Sequence, residues 1–265
     1  MRAQPGPNKL VTAIFFATIG LLYLPLGYLI FQTFLENPND YTSGFTLKWL
    51  LRMWESGSLW EPLTNSLVIG VCSATLAVAV GTAGAVGLTP IATLLPVPLQ
   101  TLIMLPILLP EVITGLSLLL FFLIWKIPLG MVTVILAHAS FSGSFVYFIM
   151  VEQLRKLDPH LSEAAQDLGA KPMETFWKVT LPNILPGLMG GWLLAFTLSF
   201  DDFLISFFTS GAGLTTLPLK IYSLMRIGLS PELNGLSCLM IFLSTSLVLV
   251  LLSKEQSRKW VLKGS

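Results

Sequence analysis

The chain has 265 residues, of which 54% are hydrophobic and 11% charged, and its mean hydropathy is +0.79. Its apolar residues come in uninterrupted runs, so a bilayer rather than a water-surrounded core is the solvent this composition fits. A formal net charge of +1 gives nucleic-acid binding no electrostatic support, and Cys72 and Cys238 fall inside apolar runs without the spacing of a disulfide framework or a zinc site.

A spanning helix needs roughly 20 mostly apolar residues, because about 30 Å of hydrocarbon is crossed at about 1.5 Å per residue. Six segments qualify, at about 10–34, 63–88, 99–125, 130–151, 184–208 and 233–252. The expected fold is all-α: a polytopic membrane protein with six transmembrane helices, forming one domain over 1–265. The first run, Leu10 to Phe34, follows a basic MRAQPGPNK. It is too long for a signal-peptide core and lacks a small-x-small cleavage site, so it reads as a retained span. Gly81, Gly84 and Gly87 in the second span, and Gly187 and Gly191 in the fifth, allow close helix crossings. Pro90 and Pro96 mark the 89–98 connection, and Pro128 with Gly130 the turn between the third and fourth spans.

An even number of spans puts both termini on one face, together with the 89–98 and 152–183 connections. That face carries ten Lys and Arg residues against five opposite, which places the termini in the cytoplasm.

In the third span, Glu111 follows MLPILLP, where Pro106 and Pro110 free the carbonyls of Leu102 and Pro106. A carboxylate in hydrocarbon costs at least about 2.5 kcal/mol and is expected to face a cavity or a partner. Broken helices are tolerated where they line a water-filled pathway. His138, in the fourth span, reads either as a relay group or as a hydrogen-bonded packing residue.

The polar stretch EAAQDLGAKPMETFWKVTLP, 163–182, falls on the cytoplasmic face. Leu161, Ala164, Ala165 and Leu168 recur at i, i+3, i+4 and i+7, giving one narrow apolar face. Ser162 is placed to cap this short helix and Gly169 suits a left-handed exit. Pro172 fits the first turn of a second short helix, with Phe176 and Trp177 as anchors, before Leu181-Pro182 turns the chain back into the bilayer. Helices this short are unstable alone in water, so the segment docks either on its own protein or on a partner.

Asp201 and Asp202, in AFTLSFDDFLISFF, lie late in the fifth span. Neighbours on a helix are about 100° apart, so only one of them can point squarely at a central axis. They read either as a hydrated pair capping a break or as a cation-attracting lining. Further on, Pro218 can start a short outer helix with Leu217, Ile221, Leu224 and Met225 on its apolar face.

The string Glu163-Ala164-Ala165, three residues, Gly169, nine residues, then Val179-Thr180-Leu181-Pro182 resembles the EAA motif of the membrane subunits of binding-protein-dependent ABC importers. That motif reads EAA, x3, G, x9, I-x-LP, and this sequence departs from it only by Val179 for Ile. The resemblance implies the type I importer permease fold. It also implies that Glu163, Ala164, Ala165, Gly169, Leu181 and Pro182 lie in a coupling segment, 155–182, seated in a cleft of a cytoplasmic ATPase. FTLSFDDFLISFFTSG and LPLKIYSLMRIGLSPELN, within 196–234, are more specifically similar to the spermidine/putrescine branch. For that branch the resemblance implies four kinds of partner: a dimer of ATPase subunits, a second homologous permease subunit, an external substrate-binding protein, and the lipid of a bacterial cytoplasmic (inner) membrane. It implies no catalytic residue and no cofactor bound by this chain, ATP and Mg being used by the ATPase. No Gly-x4-Gly-Lys-Ser/Thr phosphate loop occurs in the sequence. Glu111, Asp201 and Asp202 are then stations for a polycation along the substrate pathway.

Three other functions compete. An importer permease for another small solute would share the EAA motif. An ion-coupled secondary transporter would use the acids as proton sites, but no inverted repeat is evident and the cytoplasmic motif would go unexplained. An intramembrane aspartyl protease needs two facing carboxylates on different helices, whereas Asp201 and Asp202 are neighbours.

Overall fold

The computed structural model describes residues 9–37, 40, 42–55, 57–89, 97–227 and a few positions between 235 and 246. Among the described residues it is helical, with one isolated antiparallel bridge between Leu35 and Phe45. Four helices are long and apolar enough to cross a membrane: Lys9–Thr33, Trp60–Leu88, Met131–Arg155 and Pro172–Phe200, and a bent pair adds a fifth if it is one span. The sixth expected span, 233–252, lies outside the described residues but for those few positions, as do most of the 89–98 connection and the basic tail.

The chain divides into two compact units, Trp60–Lys220 and a second made of Met1–Leu59 with Ile221–Ser265. In the second unit, α1 (Lys9–Thr33) exposes nearly all of its apolar side chains; Thr33 is its one buried residue. After α1, the Leu35–Phe45 bridge folds the chain back, and α2 (Lys48–Glu55) is tied to it by the Trp49 indole N–H donating to the Leu35 carbonyl at 2.9 Å.

The first unit is built on three mutually packed helices, α3 (Trp60–Leu88), α6 (Met131–Arg155) and α9 (Leu181–Phe200). Between membrane helices the driving force is close packing and hydrogen bonding rather than escape from water, so small residues set the crossings. A Cβ on Gly81 would lie 2.9 Å from the Gly143 carbonyl oxygen and from Val146 of α6, and one on Gly187 would collide with Gln153 and Met150. Gly87, by contrast, has nothing within 4 Å of such an atom among the described residues.

Two of the expected spans are interrupted. Residues 99–125 are two helices, α4 (Val97–Leu108) and α5 (Glu111–Ile124), bent by 115° at the break between them. Pro110 is the cause: it has no N–H to continue α4, it sits extended at φ −56°, ψ 137°, and its carbonyl accepts from Ile113 and Thr114 to start α5. The expected span 184–208 likewise ends as one helix at Phe200, and a second helix, α10 (Leu204–Thr209), follows after three intervening residues. α10 packs on α5 and α6, where Phe122, Ala137, Phe141 and Ile205 form a buried cluster. The connection after α10 is anchored to the start of α3: Asn65 donates to the Thr215 carbonyl at 3.0 Å, and the Leu217 N–H donates to the Ser66 hydroxyl at 2.8 Å. As expected from Pro218, a helix begins there, α11 (Leu217–Ile227).

Candidate functional site

The two interruptions face each other. Gly115, one turn after Glu111 on α5, lies against α10 so closely that a Cβ there would be 2.8 Å from the Phe208 ring and 3.3 Å from the Leu204 carbonyl oxygen. This contact brings the first turn of α5 up to the break between α9 and α10. Glu111, Asp201 and Asp202 consequently line one cleft of about 370 Å³, with Thr197, Leu198 and Phe203 completing its wall. With three carboxylates, two of them facing the open space, and no Lys or Arg among its described lining residues, the cleft is a place where a cation is attracted. Gly115 carries no motif, and its role shows only once the helices are packed.

The two aspartates are not neighbours on one continuous helix. Asp201 closes α9, its N–H donating to the Thr197 carbonyl, and its side chain is exposed to the cleft. Asp202 sits in the break, and its carboxylate accepts from the backbone N–H of Ile205 at 3.2 Å and of Ser206 at 2.8 Å, satisfying the otherwise unpaired first donors of α10. The side chain of Asp202 is 6% exposed and lies 3.1 Å from Nε2 of His138, itself 2% exposed. Of the two sequence-based alternatives, Asp202 caps a break while Asp201 and Glu111 face the open cleft. Neither Glu111 nor Asp201 makes a side-chain hydrogen bond or ion pair among the described residues.

His138 is the centre of a buried polar chain. Its Nδ1 lies 2.6 Å from the Ser199 hydroxyl, to which the Ser73 hydroxyl donates at 2.9 Å, and its Nε2 is 3.1 Å from the Ser206 hydroxyl as well as from Asp202. Nε2 faces a carboxylate and is therefore the ring nitrogen that donates to Asp202. One imidazole thus ties α3, α6, α9 and α10 together.

The polar segment 155–182 is built differently from its sequence reading. Its first helix, α7, runs Pro159–Asp167, one turn earlier than expected. The cap is Asp158, whose carboxylate accepts from the His160 N–H, with Pro159 at the first helical position; Ser162 lies inside the helix. At its other end the expectation for Gly169 holds: φ is +89°. The Gly169 N–H donates to the Gln166 carbonyl and the Ala170 N–H to the Ala165 carbonyl, the paired bonds of a Schellman ending. No residue of α7 is buried; Glu163 and Ala164 are exposed, and Leu168 is 90% exposed.

After α7, the chain enters a short helix, α8 (Pro172–Thr175), and then a π-helical turn, Phe176–Thr180, that runs directly into α9. Leu181-Pro182 is therefore not a turn back into the bilayer. Pro182 lacks an N–H and its ring would press on the carbonyl four residues earlier; widening to an i→i+5 pattern, seen in the Leu181 N–H donating to the Phe176 carbonyl, accommodates it without a kink. Of the two expected anchors, Phe176 is half-buried in an apolar groove against Ala79, Ala83 and Gly87 of α3, while Trp177 lines the same groove and stays largely exposed.

Residues 91–254 match the family described as binding-protein-dependent transport system inner membrane component. The chain belongs to this family. Among curated relatives of this inner-membrane component, it is 38% identical over 228 residues to the putrescine transport system permease protein PotI of Escherichia coli strain K12, covering 83% of this chain and 81% of the relative. It is 34% identical over 248 residues to the spermidine/putrescine transport system permease protein PotC of Haemophilus influenzae, covering 93% and 96%. The PotC of Escherichia coli strain K12 is 34% identical over 243 residues, with 91% of each chain covered. The chain is thus a multi-pass inner-membrane transport component, one part of a system that takes its name from a binding protein.

Proposed function

We propose that this chain is the membrane-spanning permease subunit of an ATP-driven importer of polyamines, forming half of the translocation pathway. The observation that carries this reading is the continuity of Pro172–Phe200, which is 29 residues long. At about 1.5 Å per residue, such a rod spans about 43 Å, the thickness of a bilayer with its headgroups. At its cytoplasmic end stands an exposed helix carrying Glu163, Ala164, Ala165 and Gly169, which buries no residue of its own. At its far end lies the break that positions Asp201 and Asp202 opposite Glu111.

In this account α7 seats in a cleft of the ATPase, where the small side chains of the exposed Ala164 and the half-buried Ala165 allow close approach of another backbone. Leu181 and Pro182 lie where the segment fuses to the rod, so a displacement of α7 is delivered to the acid cleft rather than absorbed by a loop. ATP and Mg are used by a dimer of ATPase subunits, and this chain contributes no catalytic group. A second homologous permease supplies the other half of the pathway, an external binding protein delivers the solute, and both termini are cytoplasmic. Polyamines are flexible polycations, which suits a cleft lined by carboxylates without a counter-cation; the names of the PotI and PotC relatives support the same solute class.

Copurification tests the energy source. An ATPase subunit should come down with the tagged chain from its own membranes, and uptake in vesicles should require ATP and be blocked by vanadate. Uptake driven by a proton gradient without ATP would contradict the proposal.

A further inference from the structure

We propose that His138 is a positioning residue of the translocation pathway, holding Asp202 to α10 and thereby aiming Asp201 into the cleft beside Glu111. Only three residues, 201–203, join α9 to α10, so the placement of Asp202 sets that of Asp201. Asp202 has its carboxylate inside the protein, paired with two backbone N–H groups of α10 and with His138 Nε2. Among the described residues, His138 is the side chain outside the α9–α10 segment that pairs with it. His138 is held in turn by Ser199, which Ser73 supports from α3. Without the imidazole, a buried carboxylate would lose its donor from α6, and the nearest relief is rotation toward the cleft, which carries the link and Asp201 with it. The sequence reading left His138 between relay and packing; the geometry gives it a third role, the control of where a neighbouring acid points. The transport readout below rests on the cleft being a polyamine site, and the exchange readout does not.

Two substitutions separate the two ring nitrogens. His138→Gln places an amide N–H near the position of Nε2 and keeps a donor for Asp202, whereas His138→Asn reaches only the position of Nδ1 and keeps Ser199 alone. In the assembled complex in lipid nanodiscs, the Ile205 and Ser206 amides should exchange at least tenfold faster in His138→Asn, while His138→Gln stays near the parent. For radiolabelled putrescine, His138→Asn should raise KM at least fivefold, with His138→Gln within about twofold; a packing role alone would lower Vmax in both and leave KM in place. Ser199→Ala is a milder change that releases the ring from α9, and it should raise KM by twofold or more. It carries the comparison if His138→Asn does not assemble. Equal effects of Asn and Gln, or parental exchange and KM in His138→Asn or Ser199→Ala, overturn the proposal. A parent complex that imports no putrescine overturns the polyamine reading instead, and the amide exchange then decides the role of His138.

Discussion

Replacing Gly169 by valine forces a β-branched residue to φ +89°, in the left-handed region, at the Schellman ending of α7. A Cβ at this position meets nothing within 4 Å among the described residues, so within this chain the cost comes from the backbone and not from a clash. That cost is about 1–2 kcal/mol for an ordinary L-residue and up to about 3 kcal/mol for a strained one, against a few tenths for Asn, which visits this region readily. Since about 1.4 kcal/mol is tenfold in an equilibrium, the population with α7 correctly angled should fall about tenfold or more for Gly169→Val. It should fall about five- to thirtyfold for Gly169→Ala and hardly at all for Gly169→Asn. The assay is solute imported per ATP hydrolysed by the assembled transporter in proteoliposomes, because a coupling defect lowers this ratio whereas poor assembly lowers both quantities together. A parental ratio in Gly169→Val would refute the reasoning. So would equal losses in the Asn and Val variants, since that would remove backbone conformation as the cause.

Other outcomes follow from the cleft and the helix crossings. Glu111→Gln or Asp201→Asn removes one of two cleft-facing charges; discounted for their partial exposure, each is worth about 1–2 kcal/mol, so KM for putrescine should rise about five- to thirtyfold with little change in ATPase activity. Asp202→Asn should act differently, weakening charge-assisted bonds to α10 worth about 1.5–3 kcal/mol each and lowering the thermal midpoint of the purified complex. Gly81→Leu should lower that midpoint too, because its Cβ would sit 2.9 Å from backbone and side-chain atoms of α6 and overpacking costs about 1–3 kcal/mol. Gly87→Ala, with open space around the new atom, should leave the midpoint unchanged.

Much of this was legible because a bilayer imposes simple rules. Long apolar runs mark spans, and the polarity of 163–182 marks the exposed segment ahead of α9. The helix ends were less readable: Ser162 is a good cap, yet Asp158-Pro159 combines a carboxylate cap with a proline at the first helical position and so starts α7 one turn earlier. Hydropathy could not show the break at residues 201–203, because α10 is as apolar as a continuing span and the interruption is made by Asp202 bonding to backbone ahead of it. Gly115 and the partners of His138, Ser73 and Ser199, were invisible for a related reason. Each takes its meaning from a residue far along the sequence, and only packing brings those partners together.

The central claim is that this chain, with an ATPase at its cytoplasmic face, carries polycations past Glu111 and Asp201. Its most direct test is the uptake of radiolabelled putrescine and spermidine by the full complex, reconstituted in vesicles with the binding protein outside and ATP with Mg inside. The account predicts ATP-dependent accumulation of at least one polyamine, reduced sharply by the double change Glu111→Gln, Asp201→Asn. No accumulation of either, with ATP-dependent uptake of an anion or a neutral solute by the same vesicles, would contradict it.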